Sequence, residues 1–182
     1  MASGQGEASM PALPTPTRLI TTTNPETGVA TFDKSFAESL PVARQMGGTV
    51  FRLAYTSGRA PESLDGSDVA AYGARLESPP HLVTPGGGAN VWYVDIPPGG
   101  AAPMHRTLSL DFIFLIEGEL ELVLDSGEAR VLKAGDTVVQ RSTNHAWKNL
   151  SKDKWVRFVA VMAESQPVVL RDGTKLGVAG LG

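Results

Sequence analysis

Between Ala89 and Glu164 the chain is a succession of short β-prone runs, each stopped by glycine, proline or a small polar turn, and this spacing constrains the fold more than any other feature. "NVWYVDI" ends at "PPGG", and "LSLDFIFLIEG" ends at Gly118. "ELELVLDSGEARVL" reads as two strands about a turn at Asp125, Ser126 and Gly127. "DTVVQ", "HAWKN" and "WVRFVAVMA" follow at short intervals. So many short strands with so little helix predict an all-β fold: a sandwich, a jelly roll or a small barrel.

The first half is sparser. "RLITTTNPETGVATF" from Arg18 carries two β-prone runs around Asn24, Pro25 and Gly28 and predicts a hairpin; "TVFRLAYTS" from Thr49 predicts a further strand. The region from Arg59 to Pro85 is irregular, with "SDVAAYGARL" a short helix capped by Ser67. "MASGQGEASMPALPTPT" has little apolar surface to offset the entropy of ordering, so residues 1–17 read as a disordered arm. Residues 18–165 read as one domain with its barrel core at about 88–163, and 166–182 as a C-terminal tail.

Composition removes several classes of function. A net charge of −3 over 182 residues, without a run of basic side chains, offers no surface for nucleic acid. No stretch has the length of a membrane span and the N-terminus has no secretory pattern, so a soluble cytoplasmic protein is expected. With no cysteine, any metal would need His, Asp or Glu.

Alternation assigns faces. Leu120, Leu122 and Leu124 oppose Glu119 and Glu121, as in a strand with one wet side. In "DFIFLI" both faces are mostly apolar, which predicts cover on both sides, from a second sheet and from a homodimer partner or the chain's own N-terminal strands. Period two also places His105, Thr107, Ser109 and Asp111 on one face, and His145 with Trp147 on another. Asp111 is thus a carboxylate inside an apolar strand, where burial costs several kcal/mol unless it is paired, metal-bound or protonated. The plain alternative is that Asp111 bonds a neighbouring strand and the histidines sit on a rim.

These residues resemble the two motifs of the cupin superfamily. The first reads Gly100, His105, Thr107, Asp111 and Gly118; the second reads Gly135, Asp136, His145 and Asn149. "MHRTLSLD", "LIEGELEL" and "AGDTVVQRSTNHAWKN" resemble a subgroup of small single-domain fungal and bacterial cupins. The resemblance implies a double-stranded β-helix, or jelly-roll, barrel with an N-terminal strand extension. The family's four metal ligands fall on His105, Thr107, Asp111 and His145; Thr107 breaks the pattern, because a neutral hydroxyl is a poor ligand. Metal-free acid/base chemistry by His105, Asp111 and His145 is therefore the favoured expectation, with a divalent metal (Fe, Zn or Mn) on those three side chains as the alternative.

Some members of the subgroup it resembles are associated with natural-product pathways, as dehydratases and, in related cases, as guides of cycloadditions. The resemblance thus implies a lyase of secondary metabolism that dehydrates a polyketide- or terpenoid-like alcohol, with a (hetero-)Diels–Alder step as a possible sequel. Alternatives are a metal-dependent oxygenase, isomerase or decarboxylase and a non-enzymatic small-molecule binder. Arg52, sharing a face with Val50 and Ala54, is expected to enter the barrel and hold an anion. Thr107 and Trp147 are expected to shape the pocket, with Trp92 or Tyr93 on its wall. His81 reads as a surface residue of a loop over the barrel mouth, "PGGG" at 85–88 as a flexible turn, and Arg141 as a turn residue near the second motif.

Overall fold

A computed structural model describes residues 10–180. Among them the chain forms eleven strands and one helix, all strand pairs being antiparallel. β1 (Thr21–Thr23) and β2 (Ala30–Phe32) make the expected N-terminal hairpin. Its turn is set by Asn24, whose side-chain oxygen accepts the Glu26 and Thr27 amides at 2.9 and 3.0 Å.

The barrel is two sheets. One has the order β3-β4-β5-β11-β6-β9 and the other β10-β7-β8. Their strands are β3 (Arg44–Met46), β4 (Thr49–Thr56), β5 (Ala89–Ile96), β6 (Ser109–Glu117), β7 (Glu119–Leu124), β8 (Ala129–Lys133), β9 (Thr137–Arg141), β10 (His145–Lys148) and β11 (Val156–Glu164). β11, last in sequence, lies between β5 and β6 and is hydrogen-bonded to both. Trp92, Val94, Ile113, Leu115, Leu120 and Phe158 meet in the core between the sheets. Each such side chain contributes about 1.5–3 kcal/mol by leaving water. Gly118 joins β6 to β7 at φ +83°, and a Cβ there would stand 2.9 Å from Val156 Cγ2 and 3.2 Å from the Trp155 carbonyl oxygen. Only glycine meets both demands without strain.

Helix α1 (Ser67–Glu77) forms where expected, but Ser67 does not cap it. The cap is Gly66 at φ +93° with no side-chain hydrogen bond, while the Ser67 hydroxyl is spent on Asp65 Oδ1 at 2.5 Å. The helix docks through Tyr72, which is fully buried, meets Phe36 edge-on at 5.5 Å and donates its hydroxyl to the Leu53 carbonyl at 3.0 Å.

Of the arm expected at residues 1–17, residues 1–9 lie outside the described part. From Pro14 onward the chain is laid against the barrel. Arg157, bound through Nε and Nη2 to Asp95 at 2.6 and 2.8 Å, donates its Nη1 to the Pro14 carbonyl at 2.6 Å. The Pro16 carbonyl accepts the Leu40 amide at 3.0 Å. A buried guanidinium has donors to satisfy beyond one carboxylate, and the arm supplies an acceptor. The tail expected from residue 166 also returns to the barrel, where Arg106 and Ala179 exchange backbone hydrogen bonds at 2.9 and 3.2 Å.

β6 separates its faces as alternation predicts, with Asp111, Ile113 and Leu115 buried inward. Outward, Phe112, Phe114 and Ile116 remain 38%, 41% and 49% exposed, so none of the described residues of this chain covers them. No helix among the described residues is long and apolar enough to cross a membrane.

Candidate active site

The two sheets enclose a cavity of about 270 Å³. Its walls are largely apolar, among them Phe51, Val94, Phe158 and Met162, and its polar side chains are Thr49, His105, Thr107, Asp111 and His145, with the indole of Trp92 spent elsewhere. Among the described residues no lysine or arginine lines it.

Backbone pairing fixes the histidines. His105 lies in the connection from β5 to β6, and its N–H donates to the His145 carbonyl at 2.8 Å while the His145 N–H donates back at 2.9 Å. This brings the two rings to 4.4 Å between centroids, tilted by 48°. Nδ1 of His105 lies 2.8 Å from the Pro103 carbonyl, which can only accept, so Nδ1 carries the ring proton and Nε2 of the neutral ring keeps a lone pair. His145 has two competing neighbours at Nδ1: the Thr143 carbonyl at 3.0 Å, which asks for a proton, and Gln140 Nε2 at 2.9 Å, which asks for a lone pair. Burial pushes the pKa of His145 down to about 4; the Thr143 carbonyl opposes this and His105 adds to it. His145 is thus a neutral ring at pH 7.

Asp111 stands on the inner face of β6, two residues beyond Ser109. Burial pushes its pKa up to about 6, opposed by the Ser109 hydroxyl, and its Oδ1 is buried without a partner among the described residues. Thr107 shares a hydrogen bond of 2.7 Å with Ser109, hydroxyl to hydroxyl. Its carbonyl accepts the Ser142 hydroxyl at 2.7 Å. Ser142 takes the left-handed region at φ 51°, and its amide donates to the Ser109 carbonyl at 2.9 Å. These two bonds tie the His105–Asp111 segment to the turn that leads into His145, and they hold a backbone conformation that costs a non-glycine residue energy.

Trp147 lines the cavity and meets His145 edge-on at 5.4 Å and Phe158 at 5.7 Å. Trp92 lines it too, but its Nε1 donates to the Leu82 carbonyl at 2.9 Å and the Arg44 guanidinium lies 5.1 Å from its ring, so it offers the cavity only carbon. Tyr93 faces outward beside Arg157. His81 is exposed, and neither it nor Arg141 lines the cavity.

Arg52 requires a correction. It does not enter the barrel: Thr49 and Phe51 are the cavity residues of β4, while Arg52 is buried on the opposite face and donates Nη1 to the Leu40 carbonyl at 3.0 Å. The N-terminal segment covers that face, so Val50 and Arg52 are buried without being inside.

The metal alternative fits the donors poorly. Among the described residues no three His, Asp or Glu side chains converge to hold one ion. The two imidazoles come together, Thr107 supplies a neutral hydroxyl, and Asp111 does not complete the set. Gln140 and Ser142 were missed by sequence reasoning. Gln140 lies opposite Asp111 in the β6–β9 register, a relation that no local pattern in "VVQRSTNHAW" announces.

Residues 92–162 match the family described as "Cupin domain". A relative from Diaporthe leptostromiformis, "Phomopsin biosynthesis cluster protein D", is 44% identical over all of this chain and 95% of its own length. The chain belongs to the cupin family. Another relative of this cupin, "Cupin-domain-containing oxidoreductase virC" from Hypocrea virens, is 34% identical over 66% of this chain and 61% of its own. The cupin's fold is also similar to that of the polyketide cyclase RemF from Streptomyces resistomycificus, at a TM-score of 0.51 and 16% identity, covering 84% of this chain and 87% of that one.

Proposed function

We propose that this cupin is an enzyme of secondary metabolism, a lyase that removes water from a neutral polyketide- or terpenoid-like alcohol. The observation that carries the reading is a base and an acid in one apolar cavity: His105 with Nε2 free, and Asp111 titrating near 6. His105 Nε2 takes a proton from the carbon or phenol of the substrate, and the electron pair moves to form the new double bond. The C–O bond breaks as Asp111, in its protonated form, gives its proton to the departing hydroxide, so that water and an alkene or quinone methide leave. His145, neutral and edge-on to Trp147, orients the substrate. The absence of cationic side chains from the wall favours an uncharged substrate over a phosphate or carboxylate. A cycloaddition of the product would draw on the shape of the same apolar wall. Kinship with a protein of the phomopsin cluster supports the pathway class.

Removing the gene from its native producer is the test. The expected result is accumulation of a compound heavier than the next intermediate by one water, which the purified protein converts at an unchanged rate in the presence of a chelator. A second reading, an oxidation, is favoured by the name of the Hypocrea virens relative. It predicts instead a compound that differs by two hydrogens, and that outcome overturns the dehydration.

The exposed apolar face of β6 carries a further expectation. We propose that a second copy covers Phe112, Phe114 and Ile116, since such a face is otherwise an association hazard. Sedimentation is expected to give twice the chain mass of 19.2 kDa, and replacing Phe112 and Phe114 together by Lys to return it to the single value.

A further inference from the structure

The C-terminal segment, residues 165–180, is held to the barrel at its two ends. At the near end the Ser165 amide donates to the Leu108 carbonyl at 3.1 Å. At the far end Ala179 exchanges its two backbone hydrogen bonds with Arg106. Between them the segment bonds chiefly to itself: Leu170 and Leu176 donate to Thr174 and Val168, and Val168, Val169, Leu170 and Val178 stay largely exposed.

The far end sits against the chemistry. Arg106 adjoins His105, which uses its own backbone groups on His145, so the short stretch 105–106 has His145 on one edge and Ala179 on the other. Gly180 then lines the cavity beside Pro103 and His105. Its approach is so close that a Cβ would fall 2.1 Å from the Met104 carbonyl oxygen and 3.0 Å from His105 Cα, at φ +70°. Any side chain here would lift the segment from the wall.

The docked state also has a cost at both ends. Ser165 Oγ and Arg106 Nε are buried without a hydrogen-bond partner among the described residues. Undocking returns such groups to water, which offsets part of the loss of two neutral backbone hydrogen bonds.

We propose that residues 165–180 form a hinged wall of the cavity that releases Ala179 and Gly180 from Met104–Arg106 to admit substrate and re-docks to exclude water, with Gly180 setting how tightly it closes. The substrate inferred is one too large to enter the docked cavity, a neutral compound of polyketide or terpenoid size; in this respect the inference rests on the dehydration reading. The movement itself does not, and its test uses no turnover.

Acrylamide, a small neutral quencher, reads access to Trp147 and Trp92 on the cavity wall. The chain has no cysteine, so Arg106→Cys with Ala179→Cys introduces the only two thiols. A pair that exchanges both backbone bonds has its Cα atoms about 5.5 Å apart, within disulfide range. The oxidised pair is expected to lower the quenching constant about twofold relative to the same protein after reduction, and Gly180→Val to raise it by a similar factor, since gating segments exchange between closed and open states. Equal quenching of the oxidised and reduced pair overturns the proposal. The comparison is made within one folded protein, so a folding defect in Gly180→Val does not remove it. Loss of the dehydratase activity with quenching that still responds to the disulfide would count against the function reading alone.

Discussion

His105→Gln lowers kcat by about 10²–10⁴-fold, the share that a positioned general base contributes, and leaves the circular dichroism spectrum unchanged. Glutamine approximates the volume of imidazole and can still donate to the Pro103 carbonyl, but it cannot take up a proton at neutral pH. His145→Gln is expected to act differently. His145 is already neutral and edge-on to Trp147, so its loss raises KM more than it lowers kcat. The pH profile separates Asp111 from both. The acid must be protonated, so kcat/KM falls above a pH of about 6, near tenfold per unit, and Asp111→Asn removes that limb along with most of the activity. A profile that keeps the limb in Asp111→Asn would rule the carboxyl out as the acid.

The same carboxyl dominates the second large effect, on stability. Asp111 titrates near 6 in the fold against an ordinary 3.8, so its contribution to stability is full below 3.8 and is lost as pH rises through 6. Two units correspond to about 3 kcal/mol. His145 has the opposite sign. With a pKa of about 4 in the fold against 6.5 in an open chain, it contributes fully above 6.5 and loses that contribution as pH falls through 4, again by about 3 kcal/mol. Between pH 4 and 6.5 the two trends oppose each other. Urea unfolding of the wild type is therefore expected to vary little over this window on account of these groups. Asp111→Asn should expose the His145 limb, with stability falling steadily from pH 6.5 to 4, and should gain up to about 3 kcal/mol over the wild type at pH 7. Parallel pH curves for the two proteins would contradict this account.

The β7–β8 hairpin and the inward face of β6 were legible because each follows from a short turn or from alternation, whereas the shared wall of His105, Asp111 and His145 was expected only from the resemblance to the two cupin motifs. Arg52 was misread for a specific reason. In "TVFRLAY" both faces of the strand are buried, one by the cavity and one by the N-terminal segment, so alternation could not say which face was inside. The anchoring of Pro14 on Arg157 and the return of Ala179 to Arg106 join positions far apart in sequence, and neither end carries a local mark of it. Gln140 is of the same kind. Thr107, by contrast, could be singled out from its place in the motif, and the structure gives it a hydroxyl partner in Ser109.

The position of β11 has a consequence for how the molecule comes into being. β11, the last of the described strands, occupies the middle of the larger sheet, with β5 and β6 on either side of it. Until Glu164 has left the ribosome, β5 and β6 have no common neighbour. The guanidinium that fastens Pro14, 143 positions earlier in the chain, is itself delivered by that strand. The nascent chain must therefore wait with its hairpins apart and close in one late, long-range step, which makes slow folding and an early exposure to chaperones intrinsic to this topology.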